Sequence, residues 1–266
     1  MAVQLLTLFP ILALGALGCG APPSITGTTV TWLELEGARM LVTTTRAAHG
    51  RADAGLPILI VLPWSHATPA EALAEVGYLE IEVAARIVAI EGFERDGAGF
   101  SWWRRTRAAP DDPDDDRELV SLMTERAARL ARVVGAVRRQ FASAAPPVVS
   151  GISQGGDLSL ALGVGYPGLV AATLPIAARF PEAMWPAPAA GDAVLPPVDV
   201  FQGSADPVAA LAPLQRTVTA LHDRGYPVVL HAYAGVAHEV SPAQGADIRA
   251  CAARRLRGDR MPCTRR

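Results

Sequence analysis

The 266-residue sequence contains no lysine and no asparagine, so all 24 basic residues are arginine. Several chemistries leave with those two residue types. Without lysine there is no P-loop ligand for a nucleotide phosphate, no Schiff-base amine and no Ser-Lys dyad; without asparagine there is no Cys-His-Asn protease. Histidine is scarce at five residues and cysteine at three, and neither shows a ligand spacing such as C-x-x-C or H-E-x-x-H, so no metal site is expected. Charged residues make up only 19% of the chain and the formal net charge is −2, which gives no electrostatic case for nucleic acid as a partner. The arginines between Arg254 and Arg266 read as a solvated tail.

Half of the residues are hydrophobic, enough for one sizeable domain with a well-buried core. Residues Val3 to Gly18 form an apolar run shorter than a comfortable membrane span, ending in Leu14-Gly15-Ala16-Leu17-Gly18-Cys19. Residues 1–18 read as a signal peptide, which implies export. The small residues before Cys19 look like a bacterial lipoprotein cleavage site, which would lipidate Cys19 and attach the chain to the envelope membrane. Position 17 is leucine and the first four residues carry no positive side chain, so cleavage without acylation, into the periplasm or medium, is the competing reading. Residues 19–28 form a linker and 29–266 the folded domain. Setting Cys19 aside leaves Cys251 and Cys263 as an even pair flanking the end of the last helix, either a disulfide or two inert thiols.

Along the domain, 28–35 and 39–44 read as an antiparallel hairpin, with strands following near 57–62, 86–90, 147–150, 171–175, 198–201 and 228–233. Helices near 69–76, 116–142, 154–165, 209–224 and 243–256 alternate with them. That rhythm predicts an α/β fold, a mostly parallel sheet with helices on both faces.

The most informative segment is Gly151-Ile152-Ser153-Gln154-Gly155-Gly156, which follows the apolar Pro147-Val148-Val149 and precedes a leucine-rich helix. A G-x-S-x-G between strand and helix is a nucleophile elbow: glycines two residues either side of the serine let backbone approach closely while the turn lifts the hydroxyl out. A serine nucleophile needs an imidazole base and an acid to orient it, which in this arrangement follow in the order acid, then histidine. Asp206 sits in the loop after the 198–201 strand, and His238 in the glycine-containing loop after the 228–233 strand. The other histidines are less suited: His49 and His66 precede the serine, His222 falls on a helix and His231 within a strand, as an ordinary half-buried residue. Asp199 and Asp157 read as solvating or capping side chains. Oxyanion donors are expected from the backbone N–H of Gln154 and of Ser65, the latter in the loop after the 57–62 strand.

These motifs, with the Gln202-Gly203-Ser204-Ala205-Asp206-Pro207 and Gly235-Val236-Ala237-His238 loops, resemble the phospholipase/carboxylesterase branch of the α/β-hydrolases. Acyl-protein thioesterases and dienelactone-hydrolase-like enzymes are its neighbours, and the likeness spans roughly residues 56–240. Gly99-Phe100-Ser101-Trp102-Trp103 is similar to a Ser-Trp-aromatic stretch of that branch, whereas Pro63-Trp64 stands where many relatives carry His-Gly. The resemblance implies hydrolysis of a small-molecule carboxylic ester, through an acyl-enzyme on Ser153, without metal or organic cofactor. A peptidase or acyltransferase using the same three residues, and an inert surface lipoprotein used for binding, are the alternatives. Trp64, Trp102 and Trp103 are the candidate substrate-lining residues, although the last two could instead pack their loop onto the body. Oligomeric state is not legible from the sequence.

Overall fold

Every residue of β3 (Ile58–Leu62) and β4 (Arg86–Ile90) is buried, which a strand achieves only when both sheet faces are covered. In the computed structural model, which describes residues 29–51, 54–104, 113–189 and 193–263, the alternation of side chains divides these strands between two cores. Ile58, Ile60 and Leu62 face one core, and Leu59 and Val61 the other. The first core is closed by α2 (Pro113–Gln140), α3 (Gln154–Gly165) and α4 (Leu211–Asp223), the second by α1 (Pro69–Val76) and α5 (Pro242–Leu256).

The sheet has eight strands in the order β1-β2-β4-β3-β7-β8-β9-β10. The hairpin β1 (Thr31–Leu35) and β2 (Ala38–Thr44) runs antiparallel at one edge, and β2 pairs antiparallel with β4. From β4 through β3, β7 (Val148–Ile152), β8 (Ala172–Ile176), β9 (Val198–Gly203) and β10 (Val228–Tyr233) all pairings are parallel. This is the α/β architecture read from the sequence. One element was not: β5 (Glu94–Asp96) and β6 (Gly99–Ser101) form a small hairpin of their own in the segment leading to Trp102.

Local chemistry sets the helix starts. Thr68 caps α1 by accepting the Glu71 N–H while Glu71 accepts the Thr68 N–H, and Ser241 and Gln244 do the same for α5, each with proline opening the helix. Helix α3 is different: from Gly155 to Val164 it is buried on all sides, as a helix must be when it lies between sheet and a second helix layer.

The Cys251 and Cys263 sulfurs are joined as a disulfide across twelve positions of chain. Beside it, Asp199 does not serve solvation. Its carboxylate is fully buried, takes two bonds from the Arg255 guanidinium at 2.7 and 2.8 Å, and lies 3.8 Å from His231. Arg255 also donates to the carbonyls of Asp259 and Met261, so the C-terminal segment is clipped to the start of β9. Among the described residues no helix is long and apolar enough to cross a membrane. The signal peptide expected at 1–18 and the expected lipidation site, Cys19, lie outside those residues.

Candidate active site

Ser153 stands between β7 and α3 with φ 53° and ψ −120°, a left-handed-side conformation that costs a non-glycine residue free energy. The surroundings hold it there. Its N–H donates to the Ile176 carbonyl at 2.9 Å and its carbonyl accepts the Asp157 N–H at 2.8 Å. A side chain at Gly151 would collide with the Gly155 carbonyl, and one at Gly155 with the Leu62 and Pro63 carbonyls at the end of β3. The two glycines are therefore demanded by backbone passing within contact distance on both sides of the turn.

Asp206 and His238 come from neighbouring loops after β9 and β10. Those loops are tied together by bonds from the Ser204 N–H to the Tyr233 carbonyl, from the Ala205 N–H to the Val236 carbonyl and from the Gly235 N–H to Ser204 Oγ, at 2.8–3.0 Å. The result is a continuous chain of contacts. His238 Nδ1 lies 2.7 Å from Asp206 Oδ2, and His238 Nε2 lies 3.0 Å from Ser153 Oγ.

The Asp206 carboxylate is enclosed and saturated: Oδ1 accepts the Val208 and Ala209 N–H groups at 2.8 Å each, and Oδ2 accepts Gln202 Nε2 at 3.0 Å as well as the imidazole. Burial alone would raise this carboxyl, but the Ala209 N–H, the His238 contact and the Val208 N–H together outweigh it and hold Asp206 below its ordinary range. An ionised carboxylate only accepts, so His238 Nδ1 carries the proton and Nε2 offers its lone pair to the Ser153 hydroxyl. The imidazole side chain is 25% exposed, open to a bound molecule on one side.

Asp157, in the first turn of α3, lies beneath this cluster. It is fully buried rather than solvated, accepting the Arg179 N–H at 2.6 Å and the Arg179 guanidinium at 3.0 Å. Burial raises its carboxyl in spite of Arg179. The contact fastens the end of the β8 loop to the elbow helix, a role the sequence offered no signal for.

Ser153, His238, Trp64, Ser65 and Ala177 line one cavity of about 210 Å³. The Gln154 N–H is the first of α3, and neither it nor the Ser65 N–H is bonded to another described residue. The Gln154 side chain acts elsewhere, its Oε1 accepting the Trp102 N–H at 3.0 Å and its Nε2 donating to the Trp103 carbonyl at 3.2 Å. Trp102 Nε1 donates to the Pro63 carbonyl at 2.7 Å, and its ring meets Phe93 edge-on. Trp102 and Trp103 are only 0% and 1% exposed and belong to the core over α2, so the expectation that they line a substrate groove is corrected. Burying two such rings removes a large apolar area from water. Of the three tryptophans, only Trp64 borders the cavity.

His66, with φ 67°, keeps to its loop. Its N–H donates to Ser101 Oγ at 3.1 Å, which donates to Asp96 at 2.8 Å, and its ring lies 3.2 Å from the same carboxylate. The β5–β6 hairpin thus steadies the Trp64–Ala67 turn.

No protein-family model and no curated protein matches the chain. Solved structures do match. A carboxylesterase from Mesorhizobium loti superposes with a TM-score of 0.65 at 17% identity, over 84% of this chain and 98% of that one. A Bacillus cereus carboxylesterase gives 0.64 at 15% identity, over 82% and 94%. A phospholipase/carboxylesterase from Dyadobacter fermentans gives 0.58 at 18% identity, over 79% and 94%. This is the α/β-hydrolase fold. Within it, Ser153, Asp206 and His238 occupy loops at the carboxyl ends of β7, β9 and β10, the end at which open α/β sheets bind ligands. The one grouping of potential metal ligands among the described residues of this hydrolase fold is Asp199 with Cys251 and Cys263. Its donors are already engaged, the sulfurs with each other and the carboxylate with Arg255.

Proposed function

We propose that this chain is a serine hydrolase of carboxylic esters, with Ser153 as nucleophile, His238 as general base and Asp206 as its orienting acid. The observation that carries the reading is the contact chain itself, 3.0 Å from hydroxyl to Nε2 and 2.7 Å from Nδ1 to carboxylate. In the first step Ser153 Oγ adds to the ester carbonyl carbon as its proton passes to His238 Nε2. The carbonyl oxygen becomes an oxyanion, for which the Gln154 and Ser65 N–H groups are the donors. His238, now imidazolium against Asp206, gives its proton to the departing alkoxide, leaving an acyl group on Ser153. Water enters, loses a proton to Nε2 and releases the acid, and the hydroxyl is regenerated.

No step draws on a metal or organic cofactor. The likeness to carboxylesterase structures supports an ester as substrate. The Cys251–Cys263 disulfide favours an oxidising compartment, in line with export through the 1–18 leader and attachment at Cys19.

A fluorophosphonate probe should label the wild-type chain and leave Ser153→Ala unlabelled, and p-nitrophenyl acetate turnover should fall by roughly 10⁴-fold or more. Equal labelling of both proteins would remove Ser153 from the mechanism.

A further inference from the structure

The walls of the 210 Å³ cavity carry charge of one sign. Besides the residues already named, Glu75 from α1 and Glu239, next to His238 in sequence, line it. Both side chains are exposed and neither is held in an ion pair or hydrogen bond among the described residues. Of the guanidinium groups on the surrounding elements, Arg179 is paired with Asp157, and Arg249 on α5 donates to the Val76 carbonyl at 2.6 Å and does not line the cavity. No arginine lines the cavity. Two carboxylates and no lining guanidinium make the space in front of Ser153 negative. Its third determinant is the half-buried indole of Trp64, whose face attracts cations. The volume lies below the roughly 300–1,000 Å³ of pockets for drug-sized ligands. It admits a short acyl chain with a small alcohol.

We propose that the cavity selects short esters bearing a positive charge, with Glu75, Glu239 and the Trp64 ring facing the cation, and disfavours substrates with a free carboxylate. This rests on the ester-hydrolase reading above, while the choice of substrate charge rests on the lining residues alone. A carboxylate about 6–7 Å from a cation in a water-like dielectric favours binding roughly threefold, so two together favour it about tenfold.

The test compares kcat/KM for acetylcholine with that for its uncharged isostere, 3,3-dimethylbutyl acetate, using the purified full chain at low ionic strength. The cationic ester should be favoured about tenfold. The ratio should fall to about threefold in Glu75→Gln and in Glu239→Gln, lower again in the double variant, where Trp64 alone remains to face the cation, and should also fall in wild type at about 0.5 M salt. A wild-type ratio under about twofold, or a ratio that neither substitution moves, overturns the charge assignment even if both esters are hydrolysed. No hydrolysis of either ester, together with no fluorophosphonate labelling, instead overturns the ester-hydrolase reading and the substrate class with it.

Discussion

Asparagine at position 206 tests the contact chain while leaving its shape in place. Oδ1 of the new side chain can go on accepting the Val208 and Ala209 N–H groups, now at 2.8 Å. At the other end the polarity reverses. Where Oδ2 accepts from His238 Nδ1 at 2.7 Å and Gln202 Nε2 at 3.0 Å, an amide NH2 presents hydrogens to both. Gln202 has a remedy, because its Oε1 is buried without a partner and an amide flip would bring it to the new donor, at the loss of the 2.6 Å bond to the Ala209 carbonyl. His238 has none that preserves its function. To meet a donor, Nδ1 must become an acceptor, which moves the ring proton to Nε2, the atom that has to take the proton from Ser153. Holding the base in the wrong tautomer costs about 10³–10⁴ in kcat, or roughly 4–5.5 kcal/mol of barrier, with little change in KM. The fold should lose far less: exchanging a charged acceptor for a neutral one costs about 1–2 kcal/mol, roughly 2–8 °C in melting temperature for a domain of this size. The acid limb adds a second readout. Because Asp206 lies below its ordinary value, its stabilisation is complete above the unfolded carboxyl value of about 3.9 and is lost as pH falls through the folded one, so Asp206→Asn should melt with a flatter profile below about pH 4. Steady-state hydrolysis of p-nitrophenyl acetate beside thermal melting decides the matter. A loss of turnover under tenfold in a folded Asp206→Asn protein would mean that another group orients the imidazole.

The disulfide closes a loop spanning twelve positions, for which chain entropy gives about 3 kcal/mol, so Cys251→Ala/Cys263→Ala should lower the melting temperature by roughly 6–12 °C while kcat changes less than twofold. Melting within about 2 °C of wild type would show that the crosslink restrains little of the unfolded chain. Trp102→Ala removes a fully buried ring and should cost about 3–5 kcal/mol by denaturant titration. A Trp102→Ala protein with wild-type stability and altered ester preference would restore the groove-lining role that the burial of this ring removes.

The elbow was legible because its requirements are local: a glycine on either side of the serine, an apolar strand before and an apolar helix after all fall within one stretch of chain. Asp206 and His238 were legible through order and loop position, each standing just beyond a strand rich in β-branched or aromatic residues. What the sequence withheld were properties decided across the fold. Two adjacent tryptophans in an arginine-rich segment give no sign of which way they face, and their burial in the core that also holds Leu119 and Met123 emerges only once α2 covers the sheet. Asp157 and Asp199 find their arginine partners 22 and 56 positions away, beyond any helix or strand period. The β5–β6 hairpin has strands of three residues each, too short for alternation to register, although Gly97-Ala98 between them, with the glycine at φ 64°, is a two-residue turn opened by glycine.

Gln154 joins two jobs in one residue: its backbone N–H follows directly on Ser153 and its side chain grips the stretch from Trp102 to Trp103, which is itself anchored on Pro63. Trp64 and Ser65 follow directly on that proline. The two proposed oxyanion donors are thus braced against one another through a shared strut. Exchanges in the distant hairpin, or in the rings behind it, would be felt as a change in reaction speed even though none of those atoms ever meets the molecule being cleaved.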